Sequence, residues 1–470
     1  MAERHISYRK FNDTSDTSLP TQSSLPSPWQ ATRHRVSGFL YVLCGRIYRS
    51  IGRPSAYGLV LVLLGSMSGL TVESAAEIRF QPRVSAGVEY TDNVFLTHKD
   101  TEEDFIYSVS PGMTLSLVGR HTELSLSYDP SYAHYEKETR DDYWQHAANG
   151  RLFTQLSRTA NFQVSHTYLR TENLFSDEDY TLRRGQAPYD RHTTSASYVQ
   201  EFGRDNQFSL SYTHSFLENE DPTLEDSATM SPAAEIIYWF GPRWGIEAKA
   251  VYRQTDYDTS EDFYNWSGTM QVNRRFSRHL TSFVNFGYTA QTYDENSEDF
   301  DVYDMGAGFT YDIDSTSTLQ MAVNYFIRDY DDGKNVDGVP VTIDYTKQFK
   351  RGRMGISTGG GYETTSATAE NLGFYTYYFA RIDGQYDFYE RLYGGIDLMA
   401  RRIEYQDQSP EFKDDIGRAR AYVAYRLFTW LSVQLEYNLR AVESELHSRD
   451  YVENSGMLRF TATTPQPFRM

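Results

Sequence analysis

Short segments in which apolar and polar residues alternate with a period of two recur along the chain from Arg83 onward. The clearest lie at 123–128, 208–213, 319–325 and 433–440. Successive side chains of a β-strand point to opposite faces, so each segment predicts a strand with one apolar and one polar face. No stretch after residue 76 shows the 3.6-residue periodicity of an amphipathic helix. The pattern therefore predicts an all-β protein.

Two kinds of connection take turns between these segments. The tight ones are often basic and lie at 119–121, 157–159, 203–206, 241–243, 277–279, 350–353 and 389–391. The longer ones are acidic and lie at 100–104, 177–179, 218–226, 256–262, 294–301, 329–337 and 407–415. An alternation of short and long connections is typical of an up-and-down meander whose two rims differ chemically.

The length of this meander predicts that it closes on itself. We expect about 20 strands, with 18 to 20 plausible, at roughly 20 residues for each strand and connection. An open sheet of that size would leave two unpaired edges, and closure removes them. In lipid, a closed barrel is also the only all-strand structure that pairs every backbone polar group. The sequence therefore predicts a closed antiparallel up-and-down transmembrane β-barrel over residues 77–470, with an apolar outside and a polar lumen.

Composition excludes the main alternatives to a barrel. A mean hydropathy of -0.60 and a single long apolar run leave no room for a bundle of membrane helices. A net charge of -19 argues against a nucleic-acid partner. Disordered acidic chains contain few aromatic residues, whereas Phe, Trp and Tyr make up 15% of this chain.

The first 76 residues are predicted to be a targeting segment. An apolar run at 56–72 follows several arginines, and Ser74 and Ala76 supply the small residues that a signal peptidase reads, so cleavage is expected after Ala76. A single membrane anchor is the alternative. Cys44, the one cysteine of the chain, lies upstream of the apolar run, so the exported part is expected to contain no cysteine and no disulfide.

Many aromatic residues are predicted to lie near strand ends, where amphipathic rings favour the bilayer interface. The alternative is that they pack the core of a β-sandwich. This group comprises Tyr90, Phe95, Tyr107, Tyr143, Trp144, Trp239, Phe240, Trp244, Trp266, Tyr389, Phe428 and Trp430.

The polar positions of the last strands provide the candidate lumen-lining site. A barrel of about 20 strands is too wide for side chains alone to fill. Guanidinium groups suit carboxylates, and aromatic rings stack on sugars, so the set could guide an anionic polysaccharide. Alternatively, the arginines form a self-satisfied ladder with neighbouring carboxylates, and the rings fill space beneath a folded-in loop. The candidates are Arg381, Arg401, Arg418, Arg420, Arg426, Arg440, Tyr375, Tyr377, Tyr393 and Tyr422.

Signals for catalysis or for metal binding are weak. The chain contains no Gly-x-Ser-x-Gly or His-Glu-x-x-His motif, and the histidines at 134, 166, 192, 214 and 447 are scattered. Acidic loops could collect divalent cations or bridge them to lipopolysaccharide, but the segment 329–333 lacks EF-hand spacing. We therefore predict no catalytic residue, no cofactor and no metal site, and we expect the acidic loops to be solvated.

The segment 84–95, and above all Tyr90-Thr91-Asp92-Asn93-Val94, resembles the opening strand of a family of outer-membrane β-barrels from Gram-negative bacteria. These porin-like barrels are associated with exopolysaccharide biosynthesis and secretion, and the likeness in length and rhythm extends over about 84–463. The resemblance implies a channel or scaffold in the outer membrane that works with an inner-membrane polymerase and a periplasmic polysaccharide export protein. It supplies no catalytic residues.

The chain departs from that family at its C-terminal end. Outer-membrane barrels usually end on an aromatic residue that the barrel-assembly machinery recognises, whereas this chain continues through 463–470. Gly456, Leu458 and Phe460 could supply an internal version of the signal, or Phe468 could supply it. The position of the last strand is therefore left open.

The sequence favours a non-enzymatic outer-membrane channel for export of an exopolysaccharide. A general diffusion porin is the second hypothesis, and a structural or adhesive surface barrel with a plugged lumen is the third. The expected partners are outer-membrane lipid and lipopolysaccharide, the barrel-assembly machinery, a periplasmic polysaccharide export protein and the polymer itself, without nucleic acid.

Overall fold

The structure, a computed structural model, describes residues 77–172, 188–222, 224–294, 297–330, 335–364, 373–407 and 410–469. The targeting segment predicted at 1–76 lies outside these residues. None of the described residues forms a helix that is long and apolar enough to cross a bilayer.

The described residues form strands joined by short connections. In chain order the strands are β1 (Glu77–Thr91), β2 (Asp104–Val118), β3 (Thr122–Tyr135), β4 (Tyr143–Gln155), β5 (Ala160–Thr171), β6 (Tyr189–Glu201), β7 (Gln207–Asn219), β8 (Ser227–Trp239), β9 (Trp244–Tyr257), β10 (Phe263–Arg275), β11 (Leu280–Tyr293), β12 (Phe300–Asp314), β13 (Ser317–Tyr330), β14 (Val336–Gly338), β15 (Val341–Phe349), β16 (Gly352–Thr364), β17 (Phe374–Tyr389), β18 (Leu392–Tyr405), β19 (Phe412–Phe428), β20 (Leu431–Ser444), β21 (Tyr451–Thr463) and β22 (Phe468–Arg469). A single 3₁₀ turn, His447–Arg449, lies between β20 and β21 within the described ranges.

These strands close into one antiparallel barrel. The three-residue strand β14 and the longer β15 both pair with β13 and together occupy one position in the wall. The last long strand, β21, pairs with β1, and the two-residue β22 continues the same contact along β1. Counted in this way, the described strands occupy 20 positions in the wall. The prediction of a closed up-and-down barrel of about 20 strands is confirmed.

The two rims differ as the connections indicate. All seven tight turns named from the sequence join strands at one rim, and two more, at 315–316 and 429–430, were not identified. The other rim carries the long connections, including three that the sequence reading missed, at 136–142, at 445–450 and between β16 and β17. The acidic connection predicted at 177–179 lies outside the described residues. Outer-membrane barrels place short turns in the periplasm and long loops outside, and the long-loop rim is called the outer rim below.

The alternation of side chains also agrees with the prediction. On neighbouring strands, Phe286 lies directly opposite Met305, and both are exposed on the outward face. The next residues along, Asn285 and Gly306, face the lumen. Because the outward row is apolar and exposed, it suits hydrocarbon, and the inward row suits water.

Two of the aromatic residues assigned to the bilayer interface point into the lumen instead. Tyr143 lies opposite the buried Ala133 and packs against Tyr135, with ring centroids 6.3 Å apart. Trp239 lies across Gly245, where a Cβ atom would come within 2.6 Å of the indole. Both residues occupy positions on the lumen face of their strands. The prediction used only their closeness to a strand end, which does not show on which face a side chain lies.

The barrel closes through the segment that carried the family resemblance. Asp92 accepts hydrogen bonds from the backbone N–H and the side-chain amide of Asn454, at 2.7 and 2.8 Å. Asn93 donates to the carbonyl of Val452 at 3.0 Å, and Thr91 donates to Glu453 at 3.0 Å. The motif therefore joins the outer ends of β1 and β21.

The chain after β21 returns to the wall at the short-turn rim. Phe468 lies opposite Phe80 of β1, with ring centroids 6.5 Å apart. Phe460 faces outward on β21 and is exposed. The last long strand is thus β21, and both aromatic residues considered for the assembly signal lie on the seam between the first and last strands.

Candidate functional site

The ten candidate residues all occupy lumen-facing positions on four consecutive strands. The residues directly next to them in sequence, such as Tyr378, Ile382 and Val423, face outward and are exposed. Tyr375, Tyr377 and Arg381 lie on β17, Tyr393 and Arg401 on β18, Arg418, Arg420, Tyr422 and Arg426 on β19, and Arg440 on β20. Period-two alternation alone therefore brings them to one sector of the wall, which we call the charged sector.

Most of these arginines are paired with carboxylates on adjacent strands. Asp397 forms an ion pair with Arg381 and lies 3.8 Å from Arg418. Arg420 lies 2.9 Å from Glu436, and Arg440 lies 3.2 Å from Glu453. The cross-strand register sets these pairs, since Asp397 lies opposite Arg420 and next to Arg418. This geometry supports the ladder interpretation for the central arginines.

Part of the charged sector still presents cations to the bore. The Arg420 side chain remains 43% exposed in spite of its ion pair. Arg426, farther toward the short-turn rim, is exposed and makes no ion pair with a described carboxylate. A guanidinium has five N–H donors, and both of these guanidinium groups are exposed to the bore. These two side chains can therefore donate to a passing anion.

Two tyrosines flank these cations. The rings of Tyr393 and Tyr422 meet edge to face with centroids 6.4 Å apart, and the Arg420 guanidinium lies 5.8 Å from the Tyr422 centroid. Tyr422 lies across Gly395, where a Cβ atom would come within 2.7 Å of the ring. The glycine thus allows the ring to lie against the wall beside Arg420.

The other three candidates belong to a packed cluster near the outer rim. Tyr375 is buried with Ile403, Tyr405 and Phe412. The Arg401 side chain is only 3% exposed and stacks on Tyr377, with its guanidinium 4.3 Å from the ring centroid. These residues stabilise the wall and do not line a water-filled path, which agrees with the alternative that some of the rings fill space.

The sequence reading missed lumen-facing cations on the neighbouring strands. Arg353 of β16 lies opposite Gln385 of β17, and Arg459 of β21 lies opposite Gln434 of β20, so both share the lumen face. The alternation Arg353, Gly355, Ser357 could have revealed the first, but glycines weaken the contrast between the two faces.

The opposite part of the lumen is lined mainly by hydroxyl and amide groups. Thr193 bonds to Ser215 at 3.2 Å, Ser195 bonds to Thr213 at 3.2 Å, and Thr229 bonds to Thr255 at 3.1 Å, all across adjacent strands. We call this part, on β5–β8 together with Thr255 of β9, the hydroxyl sector. The wall therefore carries its charge unevenly around the bore.

The histidines that were weighed for catalysis do not come together in the lumen. His166, His192 and His214 face outward on β5, β6 and β7, and the Nδ1 atom of His166 lies 2.9 Å from the Thr194 hydroxyl. His134 also faces outward, on β3, and His447 lies in the connection before β21.

The acidic outer rim is partly neutralised by its own cations. The Lys137 ammonium lies 2.7 Å from the Glu103 carboxylate, and this hydrogen bond lowers the pKa of Glu103 and raises that of Lys137. Across the ranges that the structure describes, no group of three or more His, Cys, Asp or Glu side chains is arranged to hold a metal ion.

A family model matches much of this wall. Residues 79–215 and 220–349 match the model described as "Putative beta-barrel porin 2". The chain belongs to this family. The beta-barrel porin 2 match places the protein among porin-like barrels of the Gram-negative outer membrane. No protein of curated function is significantly similar in sequence.

Solved structures of iron transporters share the fold of this porin 2 barrel. The FrpB iron transporter from Neisseria meningitidis, F5-1 variant, is 9% identical with a TM-score of 0.53, and the match covers 82% of each chain. Its apoprotein form is 10% identical with a TM-score of 0.52, covering 85% of this chain and 82% of that chain. The F3-3 variant gives 9% identity and 0.51, again with 82% of each chain covered. At these identities the likeness concerns the barrel fold alone.

Proposed function

We propose that this porin-like barrel is a non-enzymatic channel that carries an anionic exopolysaccharide across the outer membrane. The observation that carries the proposal is the exposed pair Arg420 and Arg426 beside the Tyr393–Tyr422 rings on one lumen face. Guanidinium groups bind carboxylates through two parallel hydrogen bonds, and ring faces stack on sugar rings. Such an arrangement suits a polymer that contains uronic acid or acyl groups.

The short-turn rim supports the same direction of transport. Its turns carry Arg120, Arg158, Arg204, Arg243 and Arg278, so an anionic chain approaching from the periplasm meets positive charge first. We propose that a periplasmic polysaccharide export protein docks at this rim. Lipopolysaccharide would surround the outer rim, and the barrel-assembly machinery would insert the protein.

The test is a conductance measurement on the purified barrel in a planar bilayer, with an oligouronate as blocking solute. Replacing both Arg420 and Arg426 by Gln is expected to weaken the block by roughly tenfold or more, since a charge-assisted hydrogen bond contributes about 1.5–3 kcal/mol. Arg418 is left unchanged, because it lies beside the Asp397 carboxylate that also pairs with Arg381.

Arg151→Gln is the matched control. Arg151 also faces the lumen and is exposed, but it lies on β4 and donates to Gln163 at 2.9 Å, away from the charged sector. A wild-type channel that passes large steady currents without any block by the oligouronate would favour the general diffusion porin. An equal effect of both variants would show that the arginines of the charged sector have no special role.

A further inference from the structure

The seam between β15 and β16 has the shortest ladder in the described wall. Its ladder has seven residue pairs and ends at Ile343↔Thr358. On the other side of β15, the pairs of β13 with β15 and β14 together number ten, and the ladder of β12 and β13 reaches the outer rim at Phe300↔Tyr330. Above Ile343, the chain of β14 pairs with β13 alone among the described strands. The outer part of β16 therefore lacks a ladder on one side.

The outer end of the β16–β17 hairpin lies on the lumen side of the wall. Tyr362 and Phe374 continue the strand face that points outward at Tyr378. Nevertheless, Tyr362 packs on Phe326 with ring centroids 5.0 Å apart, and Phe374 packs edge-on against Phe300 at 5.7 Å. Phe326 and Phe300 face the lumen. The outer end of the hairpin therefore lies on the lumen side of β13 and β14. There the edge of β16 overlaps the edge of β14 and does not pair with it.

Glycine residues allow the close contacts on both sides of this overlap. Gly359, Gly360 and Gly361 follow the last paired residue of β16, and a Cβ atom at Gly360 would come within 2.8 Å of the Tyr377 carbonyl oxygen. On the other side, Phe326 covers Gly338 of β14, where a Cβ atom would come within 2.6 Å of the ring. Neither place has room for a side chain.

The tucked hairpin is held by the buried Arg328, by its ion pair with Asp407 and by the residues around them. Arg328 lies 2.9 Å from Asp407, and its guanidinium lies 4.0 Å from the ring centroids of Tyr330 and Phe374. Asp407 also accepts hydrogen bonds from the Phe374 N–H at 2.7 Å and from the Tyr330 hydroxyl at 2.6 Å. The aromatic residues between the overlapping edges therefore form an ordered apolar layer.

The overlap lies at the height of the outer leaflet. Thr342, near the last pair of the ladder, lies eight residues above Lys350 in the tight turn. At a rise of about 3.3 Å per residue and a tilt of about 40°, that separation is roughly 20 Å of an apolar band about 25 Å tall. Val339 and Val341 are exposed toward lipid on the outer side of the overlap, Val339 by 57%.

From this geometry we propose that the overlap is a lateral portal that binds the apolar chain of an outer-leaflet amphiphile. Hydrocarbon cannot hydrogen-bond to an unpaired strand edge, so the backbone groups at such an edge must be kept away from the lipid. At the overlap, side chains of each edge cover the other, and the bilayer meets apolar side chains. The layer of Phe326, Tyr362 and Phe374 lies between the lipid-exposed valines and the lumen, so these rings are the side chains that an acyl chain entering between the edges would contact. The portal is independent of the solute that the channel carries.

The test is photolabelling in phospholipid vesicles with a fatty acid that carries a diazirine in the middle of its chain. Labelled peptides are identified by mass spectrometry. We expect labels on Phe326, Tyr362 and Phe374, the buried aromatic residues of the overlap, in addition to labels on the lipid-facing side chains of the wall. We call the first group the inward labels. Labels confined to outward residues would overturn the proposal.

A disulfide across the seam supplies the second arm of the test. With Cys44 replaced by Ser, the pair Thr342→Cys and Gly359→Cys adds the next pair after Ile343 and Thr358, because a Cβ atom at Gly359 would lie 3.2 Å from the Thr342 side chain. Oxidation is expected to abolish the inward labels, and reduction is expected to restore them. Inward labels that persist in the oxidised protein would show that the chain does not pass through the overlap.

The matched control places a disulfide in a complete seam. Thr193 on β6 and Ser215 on β7 are direct partners in an unbroken ladder, with hydroxyl oxygens 3.2 Å apart on the lumen face. The pair Thr193→Cys and Ser215→Cys should leave all labels unchanged. If the seam disulfide fails to form, labelling of Tyr362→Ala still decides. A smaller side chain in the overlap should raise the labels on Phe326 and Phe374, and unchanged labels there would overturn the proposal.

Discussion

At the scale of single residues, the closing seam depends on a few buried polar side chains. Asn93 is only 1% exposed, donates to Val452 and to Thr97, and accepts from the Thr97 N–H at 3.0 Å. One amide group thereby satisfies backbone groups of its own loop and of the last long strand. The polar motif that resembled a family opening strand has a structural role in this chain.

Replacing Asn93 by Ala is therefore expected to destabilise the barrel by about 2 kcal/mol, because buried backbone groups lose their partners. The measurement is the free energy of unfolding in denaturant, followed by tryptophan fluorescence in detergent or lipid.

Asn149→Ala is the control for this substitution. Asn149 is exposed in the lumen and makes one hydrogen bond to the Thr167 hydroxyl at 3.0 Å. Its loss should change the unfolding free energy by less than about 0.5 kcal/mol. Equal effects of the two variants would contradict the assigned role of Asn93.

At the scale of elements, the β16–β17 hairpin narrows the lumen from one side. Phe374 is fully buried, and its ring contacts Phe300, Tyr362 and the Arg328 guanidinium. Phe374→Ala removes these contacts, so we expect the outer end of the hairpin to detach and the single-channel conductance to rise. The comparison is Tyr378→Ala, which removes an exposed outward ring from the same hairpin. An unchanged conductance in a folded Phe374→Ala barrel would show that the hairpin does not limit the bore.

The path of this hairpin could not be predicted from the sequence. A period of two identifies the two faces of a strand, but it does not say which neighbour a face will meet. Tyr362 lies on the same face of the hairpin as the lipid-exposed Tyr378. It packs on Phe326 because β16 does not pair with β15 beyond Thr358. The glycines at 359–361 were the one local signal, since glycine in a strand often marks a bend or a close approach of backbones.

The positions of the residues in the charged sector were easier to predict than their burial. Alternation alone placed all ten candidate residues on the lumen face. It could not show that Arg401 and Tyr377 are buried against each other while Arg420 and Arg426 are exposed, because burial depends on how the strand ends pack near the outer rim.

At the scale of the whole molecule, the fold depends on an outward surface that faces hydrocarbon. Leu435 on β20 is outward and 61% exposed, and the residue before it, Gln434, faces the lumen and donates to Glu436 at 2.8 Å. Leu435→Lys is expected to destabilise the barrel in bilayers by about 2–4 kcal/mol if the residue lies near the midplane, and less toward the interface. Gln434→Lys, which places the same charge beside Glu436, should have little effect.

The measurement for this pair is unfolding by denaturant in phospholipid vesicles, with the shift between folded and unfolded gel migration as the readout. A larger loss for Gln434→Lys than for Leu435→Lys would mean that the faces were assigned the wrong way round. The strand count, the closure and this assignment of faces followed from the sequence, because a repeated period and a repeated loop rhythm leave few other topologies.

The uneven lining of the bore has an electrical consequence. Ion pairs and exposed guanidinium groups are concentrated along β17–β20, whereas paired hydroxyls line much of β5–β8. Fixed charges on one side of a water-filled passage produce a transverse field, which a wall of neutral dipoles does not cancel. Water and any polar solute would be rotated by that field as they cross, so a molecule with one acidic edge would travel with this edge turned to the arginines and its neutral edge sliding over serine and threonine.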